Sequence, residues 1–306
     1  MNAPSESLPV AVITGAARGI GLATAEALSA THRVAMLGLG GTALEEAADR
    51  LGDGVRPYEC DITDQDSVNS AIAAVIDDFG RIDVAISNAG IGSAGIARHL
   101  SPDVLARQLE VNVTGNFRFV QACLPHLERS RGYVLGVASA AAIIAPPGEA
   151  FYAASKAALE ALLDTLRVEV KHLGIDVGVA YLMFIDTDMV RAADEDHADL
   201  TAVRKALPGA AGRTFPVSDA AKAFVDAVAH RRRDVFVPSS LKVQHRLRGL
   251  IRPAVDKKLT QLAPEIDALT REKVFERGSY AAGFDRQTLS ANGANHANSA
   301  NDKEGR

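Results

Sequence analysis

The sequence predicts an α/β fold in which helices cover both faces of a doubly wound, mainly parallel sheet. Seven short apolar runs alternate with longer segments of helical periodicity, which is the order of βαβ units. Most of the runs lack polar alternation, as expected for strands that are buried on both faces. In chain order the runs are PVAVITG, RVAMLGLG, VRPYECD, RIDVAISNAG, GYVLGVASA, IDVGVAYLMF and DVFVP.

Helical segments separate these runs, and their apolar residues recur along one face. No Pro/Ser-rich linker interrupts the series, so the sequence predicts one domain over residues 8–240. One helical segment is ASKAALEALLDTLRVEV. Two others present apolar stripes, formed by Leu22, Ala25 and Leu28, and by Val68, Ile72, Val75, Ile76 and Phe79.

Composition and charge exclude several classes of protein. The 306 residues carry a formal net charge of −5, which argues against a nucleic-acid partner, because phosphate binding needs a basic face. Cys60 and Cys123 have neither disulfide nor metal-ligand spacing, which is typical of a reducing compartment. The N-terminal segment lacks the features of a signal peptide, and no apolar run approaches the roughly 20 residues of a membrane-spanning helix. We therefore expect a cytoplasmic protein that binds no metal.

A glycine-rich turn, TGAARGIG, follows the first predicted strand directly and opens the first helix. Gly15, Gly19 and Gly21 allow a sharp turn and let the backbone approach a ligand with no Cβ in the way. The helix N-terminus that follows offers N–H groups and a positive dipole end to a pyrophosphate. The spacing differs from the commoner Gly-x-Gly-x2-Gly pattern, and a strand-to-helix turn without a ligand is the alternative. The position of the turn after the first strand favours a dinucleotide site.

The end of the second strand indicates which dinucleotide binds. An acidic residue at that point bonds the adenosine ribose and selects NAD, whereas this sequence has Gly38, Leu39 and Gly40. Arg18, inside the glycine turn, can meet a 2′-phosphate through a bidentate contact. NADP(H) is favoured over NAD(H), because a repulsive carboxylate is missing and an arginine is supplied. No arginine closely follows Gly38, which weakens this preference.

Polar and small residues follow the third and fourth strands. Asp61, in CDIT, can accept a hydrogen bond from an adenine amino group; alternatively it caps the next helix, which Thr63 or Asp64 could do equally well. The NAG stretch from Asn88 to Gly90 would let a ribose lie against the backbone, with Asn88 bracing the central strand. Ligands of open α/β sheets bind beyond the carboxyl ends of the strands, where all these motifs fall.

Tyr152 and Lys156 lie four residues apart in FYAASKAAL, so on a helix their side chains share one face. A free tyrosine has a pKa of about 10, but an ammonium within about 4–6 Å favours the phenolate and lowers that pKa. An acid–base catalyst works best with a pKa near the working pH. The pair is therefore interpreted as a proton donor and acceptor for an alcohol or ketone oxygen. A packed tyrosine beside an exposed lysine is the alternative.

Two further polar residues favour the catalytic interpretation. Ser139 closes the fifth strand, thirteen positions before Tyr152, and the APPGEA loop can bring the two hydroxyls together over a substrate. Ser139 would then stabilise charge that develops on the substrate oxygen. Asn112 is a polar residue in an otherwise apolar helical stretch, LEVNVTGNF. It either bonds a neighbouring group in the core or disturbs the helix, so that a carbonyl and a water connect Lys156 to solvent.

Together, TGAARGIG, NAG, Asn112, Ser139 and YAASK resemble the motifs of the short-chain dehydrogenase/reductase family over roughly residues 8–240. The resemblance implies a single Rossmann-type domain with strand order 3-2-1-4-5-6-7 and a bound NAD(H) or NADP(H). It implies a catalytic tetrad of Asn112, Ser139, Tyr152 and Lys156, in which Tyr152 is the general acid/base. The cofactor-binding residues that it implies are Thr14, Gly15, Arg18, Gly19, Ile20, Gly21, Asp61, Ile62, Asn88, Ala89, Gly90, Tyr152, Lys156 and Thr187.

By the same resemblance, the protein is an oxidoreductase that interconverts a secondary alcohol and a ketone, or an alcohol and an aldehyde, by hydride transfer. The resemblance also implies a homodimer or homotetramer. The apolar AAAIIAPPG segment after Ser139 favours an apolar substrate. Two alternatives stay open: a related enzyme that reduces an enone or tailors a natural product, and a catalytically silent nucleotide-sensing protein.

One position departs from the family pattern. Leu182 and Met183 stand where the family usually has Pro-Gly after the sixth strand. Two larger residues beside the nicotinamide could tighten the pocket or shift the ring. This departure affects the expected path of the local backbone more than the expected class of reaction, because Thr187 is still present.

The C-terminal part lacks the alternating pattern. Residues 241–285 predict a basic amphipathic helical extension, and residues 290–306, rich in Ala, Asn and Ser, are predicted to be disordered. The stretch 241–262 could lie on an anionic membrane surface, cover the substrate entrance or contact a partner subunit. Its predicted apolar stripe comprises Leu247, Leu250, Ile251, Val255, Leu259 and Leu262, and its cations are Lys242, Arg246, Arg248, Arg252, Lys257 and Lys258.

Overall fold

Seven strands form one parallel sheet in the order 3-2-1-4-5-6-7, which confirms the predicted α/β architecture and its strand order. The computed structural model describes residues 8–196 and 209–281 of the chain. Each apolar run that the sequence predicts as a strand contains one. The strands are β1 (Val10–Thr14), β2 (Arg33–Gly38), β3 (Val55–Glu59), β4 (Val84–Ser87), β5 (Tyr133–Val137), β6 (Asp176–Leu182) and β7 (Asp234–Val237).

The chain order reverses across β1, because β1 pairs with β2 on one side and with β4 on the other. Thr14, the last residue of β1, lies opposite Leu37 near the end of β2, and Ile13 lies opposite Ile86 near the end of β4. The three strands therefore end at about the same level. Such a switch point is where open α/β sheets bind ligands.

Helices connect the strands and cover the sheet. The α-helices are α1 (Gly19–Leu28), α2 (Gly41–Leu51), α3 (Gln65–Phe79), α4 (Pro102–Leu109), α5 (Asn116–Ser130), α6 (Ala141–Ile144), α7 (Ala150–Glu169), α8 (Asp188–Asp196), α9 (Val217–His230) and α10 (Leu241–Ala281). A π-helical turn, Glu110–Gly115, joins α4 to α5. Short 3-10 turns span Ala97–His99, Lys171–Leu173 and Gly209–Gly212.

Apolar side chains pack on both faces of the sheet and form two hydrophobic clusters. The central strand β1 is buried at every position, as its unbroken apolar run predicts. The edge strand β3 is only partly buried, with Arg56 and Glu59 exposed. Pro57 is tolerated in β3, because an edge strand leaves part of its N–H groups unpaired. The central strands therefore provide the rigid base from which the functional loops leave.

The start of α3 shows which residue caps that helix. Asp64 accepts from the N–H groups of Asp66 and Ser67, at 3.2 and 3.3 Å, and is the N-cap. Of the alternatives that the sequence leaves open, the structure selects Asp64. The predicted apolar stripe of α3 is confirmed, since its buried members include Val68, Ile72, Val75 and Phe79.

The C-terminal extension is a long helix, α10, which is kinked near its end by non-helical backbone at Gly278 and whose inner side packs on the domain. The prediction of a single apolar stripe is wrong, because at 3.6 residues per turn the stripe divides between two faces. Val255 and Leu259 are half-buried on the inner side, whereas Leu247 and Leu250 are exposed. Residues 282–285 of the predicted extension and the predicted disordered tail, 290–306, lie outside the described residues.

Both cysteines are buried, and neither forms a disulfide within the described residues. Burial raises the pKa of both thiols, that of Cys60 to about 12, so they stay protonated at neutral pH. In the part of the chain that the structure describes, no helix combines the length and apolar character needed to cross a membrane.

Gly178, within β6, is a position where only glycine fits. A Cβ built there would lie 2.2 Å from the Tyr133 hydroxyl oxygen and 2.3 Å from the Arg232 carbonyl oxygen. The Tyr133 hydroxyl donates a hydrogen bond to this carbonyl oxygen at 2.7 Å. We expect Gly178→Ala to lower the free energy of unfolding by about 1–3 kcal/mol, because overpacking forces buried groups to shift. Urea denaturation of the variant and the wild type measures the change.

The matched control is Gly249→Ala on α10, where a Cβ would meet nothing within 4 Å. This variant should raise the free energy of unfolding by about 0.5–1 kcal/mol, because alanine loses less backbone entropy in a helix. Equal stability of Gly178→Ala and the wild type would contradict the close packing of β6 against Tyr133.

Candidate active site

Polar side chains bond the ends of β1 and β4 to each other. The N–H groups of Asn88 and Ala89 both donate to Thr14 Oγ1, at 3.0 and 3.1 Å. The Asn88 side-chain amide donates to the carbonyl oxygens of Thr14, at 2.9 Å, and Gly15, at 3.4 Å. Asn88 thus holds the start of the glycine turn against β4.

The glycine turn needs its glycines for its own geometry. Gly15 and Gly19 have φ values of 64° and 56°, which residues with a side chain rarely adopt. A Cβ on Gly21 would lie 2.3 Å from the Gly15 carbonyl oxygen. The backbone can therefore close this tight turn between strand and helix only because these positions lack side chains.

The N-terminus of α1 lies beside the end of β2. The helix begins after Arg18, its first turn has no acidic residue, and the Arg18 side chain does not cap it. Its first N–H groups, those of Gly19, Ile20 and Gly21, precede the first helical bond, so this positive end of the helix can receive an anion. A Cβ on Gly38, the last residue of β2, would lie 3.8 Å from the Ala16 nitrogen.

Asp61 and Ile62 follow β3 and lead to α3. Asp61 Oδ1 accepts from the backbone N–H and the hydroxyl of Thr63, at 2.8 and 2.7 Å, so Asp61 is not the cap of α3. Ile62 is buried against the π-helical turn, where a Cβ on Gly115 would lie 2.8 Å from the Ile62 carbonyl oxygen. This contact joins the loop after β3 to the turn that holds Asn112.

The π-helical turn Glu110–Gly115 holds Asn112 in a fully buried position. The Asn112 amide bonds the backbone of Ile91 twice, accepting from its N–H at 2.8 Å and donating to its carbonyl oxygen at 2.9 Å. The same Nδ2 donates to the Ser155 hydroxyl on α7, at 2.9 Å. The widened turn therefore ties the loop after β4 to α7. Such π turns are frequent at functional sites.

Asn116, at the start of α5, is a buried residue of this region that the sequence analysis misses. Its Nδ2 donates to the carbonyl oxygens of Ala89, Val111 and Asn112, at 2.9, 3.0 and 3.2 Å. Its Oδ1 accepts from the Ser87 hydroxyl. A signal existed, because Asn116 stands four residues after Asn112 in an apolar stretch, which is the spacing of one helical face.

Gly90 is the point at which Asn112 and Lys156 approach each other. A Cβ on Gly90 would lie 3.1 Å from Asn112 Oδ1 and 3.3 Å from Lys156 Nζ. Lys156 is buried, and its Nζ donates to the Val137 carbonyl oxygen at 2.9 Å. The ammonium lies 5.8 Å from the centre of the Tyr152 ring. A side chain at position 90 would push one of these two polar groups out of place.

The Ser139 side chain approaches the Tyr152 hydroxyl closely enough to lower the pKa of the phenol. The sequence predicts that Ser139 closes β5. In the structure the strand ends at Val137, and Ser139 follows two positions later. Its Oγ accepts from the Ala141 N–H at 3.1 Å, which fixes the side chain after the strand end. Tyr152 lies in the first turn of α7, and Lys156 lies one turn later. The structure thus brings Ser139, Tyr152 and Lys156 together at the carboxyl edge of the sheet.

Burial decides the proton affinities of Tyr152 and Lys156. It raises the pKa of Tyr152 to about 12, with smaller effects from the Ser139 side chain, which lowers that pKa, and from Glu149, which raises it. Burial also lowers the pKa of Lys156 to about 8. The prediction that the ammonium lowers the pKa of the phenol is wrong for this arrangement, because desolvation dominates and Nζ is directed at the Val137 carbonyl. At neutral pH, Tyr152 keeps its proton.

The departure at Leu182 and Met183 leaves the sheet regular. Leu182 is the buried last residue of β6, and the Met183 N–H donates to the Val237 carbonyl oxygen at 2.8 Å, which extends the pairing with β7. Thr187 follows at the start of the next segment and packs on the glycine turn. A Cβ on Gly19 would lie 3.2 Å from Thr187 Cγ2.

Two loops that flank Tyr152 are bonded to each other and to α10. The Gly95 N–H donates to the Gly148 carbonyl oxygen at 2.7 Å. The buried Thr270 hydroxyl of α10 accepts from the Ile96 N–H at 3.0 Å. A Cβ on Gly148 would lie 3.1 Å from Ile266 Cγ2, also on α10. Within the described residues, no cluster of three or more His, Cys, Asp or Glu side chains could hold a metal.

The buried ammonium makes stability depend on pH in a defined direction. The Lys156 pKa is about 8 in the fold and 10.5 in the reference state, so between these values the unfolded chain binds more protons. The buried ammonium of Lys156 lowers the free energy of unfolding by its full amount below a pH of about 8. This destabilisation decreases as the pH rises toward 10.5. Relative to Lys156→Met, the wild type should gain about 2 kcal/mol between about pH 7 and about pH 9.5.

Urea denaturation at both pH values measures this difference, and groups common to the two proteins cancel in the comparison. Lys222→Met, which removes an exposed lysine from α9, is the control and should show no such change. A difference between the wild type and Lys156→Met that stays constant with pH would contradict the buried charge.

Comparisons with known proteins place this chain in a family. A family model described as short chain dehydrogenase matches residues 9–198, more than half of the chain. 3-Oxoacyl-(acyl-carrier-protein) reductase FabG of Vibrio cholerae is 31% identical over 198 residues, 63% of this chain and 80% of that protein. 2-(R)-Hydroxypropyl-CoM dehydrogenase of Xanthobacter autotrophicus is 36% identical over 191 residues, 60% of this chain and 76% of that protein.

A relative and a solved structure extend the match toward the C-terminus. Dehydrogenase/reductase SDR family member 7B of Rattus norvegicus is 32% identical over 244 residues, 76% of this chain and 74% of that protein. A short chain dehydrogenase/reductase from Burkholderia phymatum, solved in complex with NAD, has a TM-score of 0.70 at 25% identity and covers 81% of this chain and 95% of that chain. The chain therefore belongs to the short-chain dehydrogenase family of NAD(P)-dependent oxidoreductases, which act on CH–OH and carbonyl groups.

Proposed function

We propose that this protein is an NADP(H)-dependent oxidoreductase that interconverts an apolar secondary alcohol and the corresponding ketone. The observation that carries the proposal is the approach of the Ser139 side chain to the Tyr152 hydroxyl, close enough to lower the pKa of the phenol. The Lys156 ammonium lies 5.8 Å from the Tyr152 ring, at the edge of the sheet where ligands bind. The hydroxyl pair suits the oxygen of a carbonyl or an alcohol, and the neighbouring glycine turn suits a dinucleotide.

Tyr152 is the proposed proton donor to the carbonyl oxygen during reduction and the proton acceptor in the reverse reaction. Its raised pKa keeps the phenol protonated at neutral pH, which suits donation. Ser139 donates to the same oxygen and stabilises the charge that develops on it. In the oxidation direction the alcohol proton moves to the deprotonated oxygen of Tyr152.

The residues around the cleft fit a nicotinamide dinucleotide. The N-terminus of α1, which has no acidic residue in its first turn, suits a pyrophosphate, and the missing Cβ of Gly90 leaves room beside Asn112 and Lys156. When bound, the nicotinamide supplies the hydride that adds to the carbonyl carbon, or accepts it in the reverse reaction. Lys156 holds the ribose, and a carbonyl of the turn that Asn112 disturbs connects Lys156 to solvent through a water. Thr187, which packs on Gly19, borders the nicotinamide end.

The remaining cofactor contacts in this proposal come from the loops at the strand ends. Thr14, Gly15, Arg18, Ile20 and Gly21 belong to the glycine turn and the start of α1. Asp61 and Ile62 lie after β3 and receive the adenine, whereas Asn88, Ala89 and Gly90 lie after β4 and receive a ribose. All these loops leave the same edge of the sheet.

The segment after Ser139 supports an apolar substrate. Ala140, Ala141 and Ile143 are buried there, and Met189 of α8 approaches the loop after β4, with its Sδ 3.7 Å from a Cβ built on Gly92. Two relatives are named for a 3-oxoacyl and a 2-hydroxypropyl group, which supports a ketone or secondary alcohol as the reacting group.

The end of β2 supports NADP(H) over NAD(H). Gly38 ends the strand where a carboxylate would bond the ribose hydroxyls of NAD, and the exposed Arg18 lies at the neighbouring turn. A 2′-phosphate would meet no negative charge at Gly38 and could bond the guanidinium. The Burkholderia phymatum relative was solved with NAD, so the two cofactors have to be compared directly.

Assembly into a homodimer or homotetramer is part of the proposal. This part of the proposal rests on the family resemblance, because members of the family usually assemble in this way.

Replacing Tyr152 by Phe removes the proposed proton donor and keeps the ring. Ketone reduction by Tyr152→Phe should fall by about 10²–10⁴-fold in kcat, because a positioned acid contributes about this much, while the Kd for NADPH stays unchanged. NADPH consumption over a panel of hydrophobic ketones measures the rate, and nicotinamide fluorescence measures binding. Tyr58→Phe is the matched control. It removes a tyrosine hydroxyl of β3 that donates to Asp78, and it should keep full activity.

The same panel separates the alternatives. Retained turnover in Tyr152→Phe would refute the role of the phenol. Turnover of enones alone would favour the related reductase. NADPH binding without turnover of any carbonyl compound would favour a nucleotide-sensing protein.

Replacing Arg18 by Ala tests the choice of cofactor. We expect the Kd for NADPH to rise about tenfold or more and the Kd for NADH to stay constant, because a charge-assisted contact is worth about 1.5–3 kcal/mol. Fluorescence titration with both dinucleotides measures the two constants. Arg50→Ala, which removes an exposed cation from the last turn of α2, should leave both unchanged. Tighter binding of NADH than NADPH by the wild type would contradict the preference.

A further inference from the structure

The N-terminal half of α10 presents a surface that no described residue covers. Three aliphatic side chains there are exposed: Val243 by 60%, Leu247 by 42% and Leu250 by 80%. At 3.6 residues per turn, these three positions share one face of the helix. Single exposed aliphatic residues are ordinary, but three neighbours on one helical face indicate a binding surface.

The opposite side of the helix is anchored to the domain, so this face has a fixed orientation. Leu241 is fully buried, and Arg248 and His245 both bond the Glu160 carboxylate on α7, at 2.8 and 3.3 Å. Glu160 also accepts from the Tyr181 hydroxyl at 3.0 Å. These inner contacts hold the helix in place, and the exposed face is therefore not available to pack on its own domain.

Cations flank the three aliphatic residues. The four that belong to this face or its borders are Lys242, Arg246, Lys257 and Lys258. None of the four forms an ion pair within residues 8–196 and 209–281, whereas Arg252 pairs with Asp256 at 3.6 Å. Asp256 is the one acidic residue in the sequence from 241 to 264. A chain with a net charge of −5 thus concentrates positive charge around an exposed apolar patch.

We propose that this outward surface, formed by Val243, Leu247, Leu250 and the four flanking cations, binds an anionic phospholipid bilayer. The aliphatic side chains enter between the headgroups, and the cations bond lipid phosphate and carboxylate groups. A second copy of the chain fits less well, because two such surfaces would bring like charges together. A bilayer accepts the apolar and the cationic groups at once.

The proposal does not rest on the proposed reaction, since none of these residues belongs to the cleft around Tyr152. Vesicle sedimentation of the full-length protein tests it, with phosphatidylcholine vesicles that contain or lack phosphatidylserine. We expect binding to the anionic vesicles, binding weaker by about tenfold or more to phosphatidylcholine alone, and loss of binding as salt rises.

Two double variants separate the apolar from the cationic contribution. Leu247→Ser with Leu250→Ser, and Lys257→Gln with Lys258→Gln, should each weaken binding to anionic vesicles by about tenfold or more. Val168→Ser is the matched control, because Val168 is 76% exposed but belongs to α7 and not to the surface on α10. It should bind as the wild type does. Circular dichroism checks that each variant is folded.

Three outcomes would overturn the proposal. In the first, the wild type does not sediment with anionic vesicles. In the second, neither double variant changes vesicle binding. In the third, light scattering shows that the leucine variant loses an oligomer while vesicle binding persists, which would assign the surface to a second copy of the chain.

Discussion

The Asn112 amide is the interaction on which the arrangement of the cleft depends. It pairs both backbone groups of Ile91 and the Ser155 hydroxyl, so the loop after β4 and the helix α7 share one buried anchor. Only an amide offers a donor and an acceptor together in this way. Without it, the Ile91 backbone would lose partners at a cost of about 1–3 kcal/mol for each buried group. Gly90 completes the arrangement, because it leaves room for Lys156 beside Asn112.

Burial acts on the two titratable groups of α7 in the same sense, since it favours the neutral form of each. The phenol of Tyr152 becomes a weaker acid, with a pKa of about 12, and the ammonium of Lys156 a stronger one, with a pKa of about 8. Between about pH 8 and about pH 12 both side chains are therefore mainly neutral, whereas the two groups of an exposed pair would both titrate near pH ~10. The Ser139 side chain partly offsets the rise in the Tyr152 pKa, because its proximity lowers the pKa of the phenol.

The C-terminal helix joins the far side of α7 to the loops beside Tyr152. Near its start, Arg248 bonds Glu160, and near its C-terminal end the Thr270 hydroxyl bonds the Ile96 backbone. One continuous helix therefore fixes two distant parts of the domain relative to each other. The side of α10 that makes these contacts packs on the domain, so only the exposed side is accessible to another binding partner.

The sequence by itself determined the parts of this protein that local pattern encodes. Unbroken apolar runs identified the seven strands, helical periodicity identified the stripe of α3, and the motif resemblance supplied the strand order. It also brought Asn112, Ser139, Tyr152 and Lys156 into one hypothesis. Tertiary structure decided what depends on neighbours distant in the chain. Burial of Tyr152 reversed the expected direction of its pKa, Asn116 found its partners only in the fold, and α10 met a loop 174 residues away. Periodicity reports which residues share a face, but desolvation and long-range contacts exist only once the chain has packed.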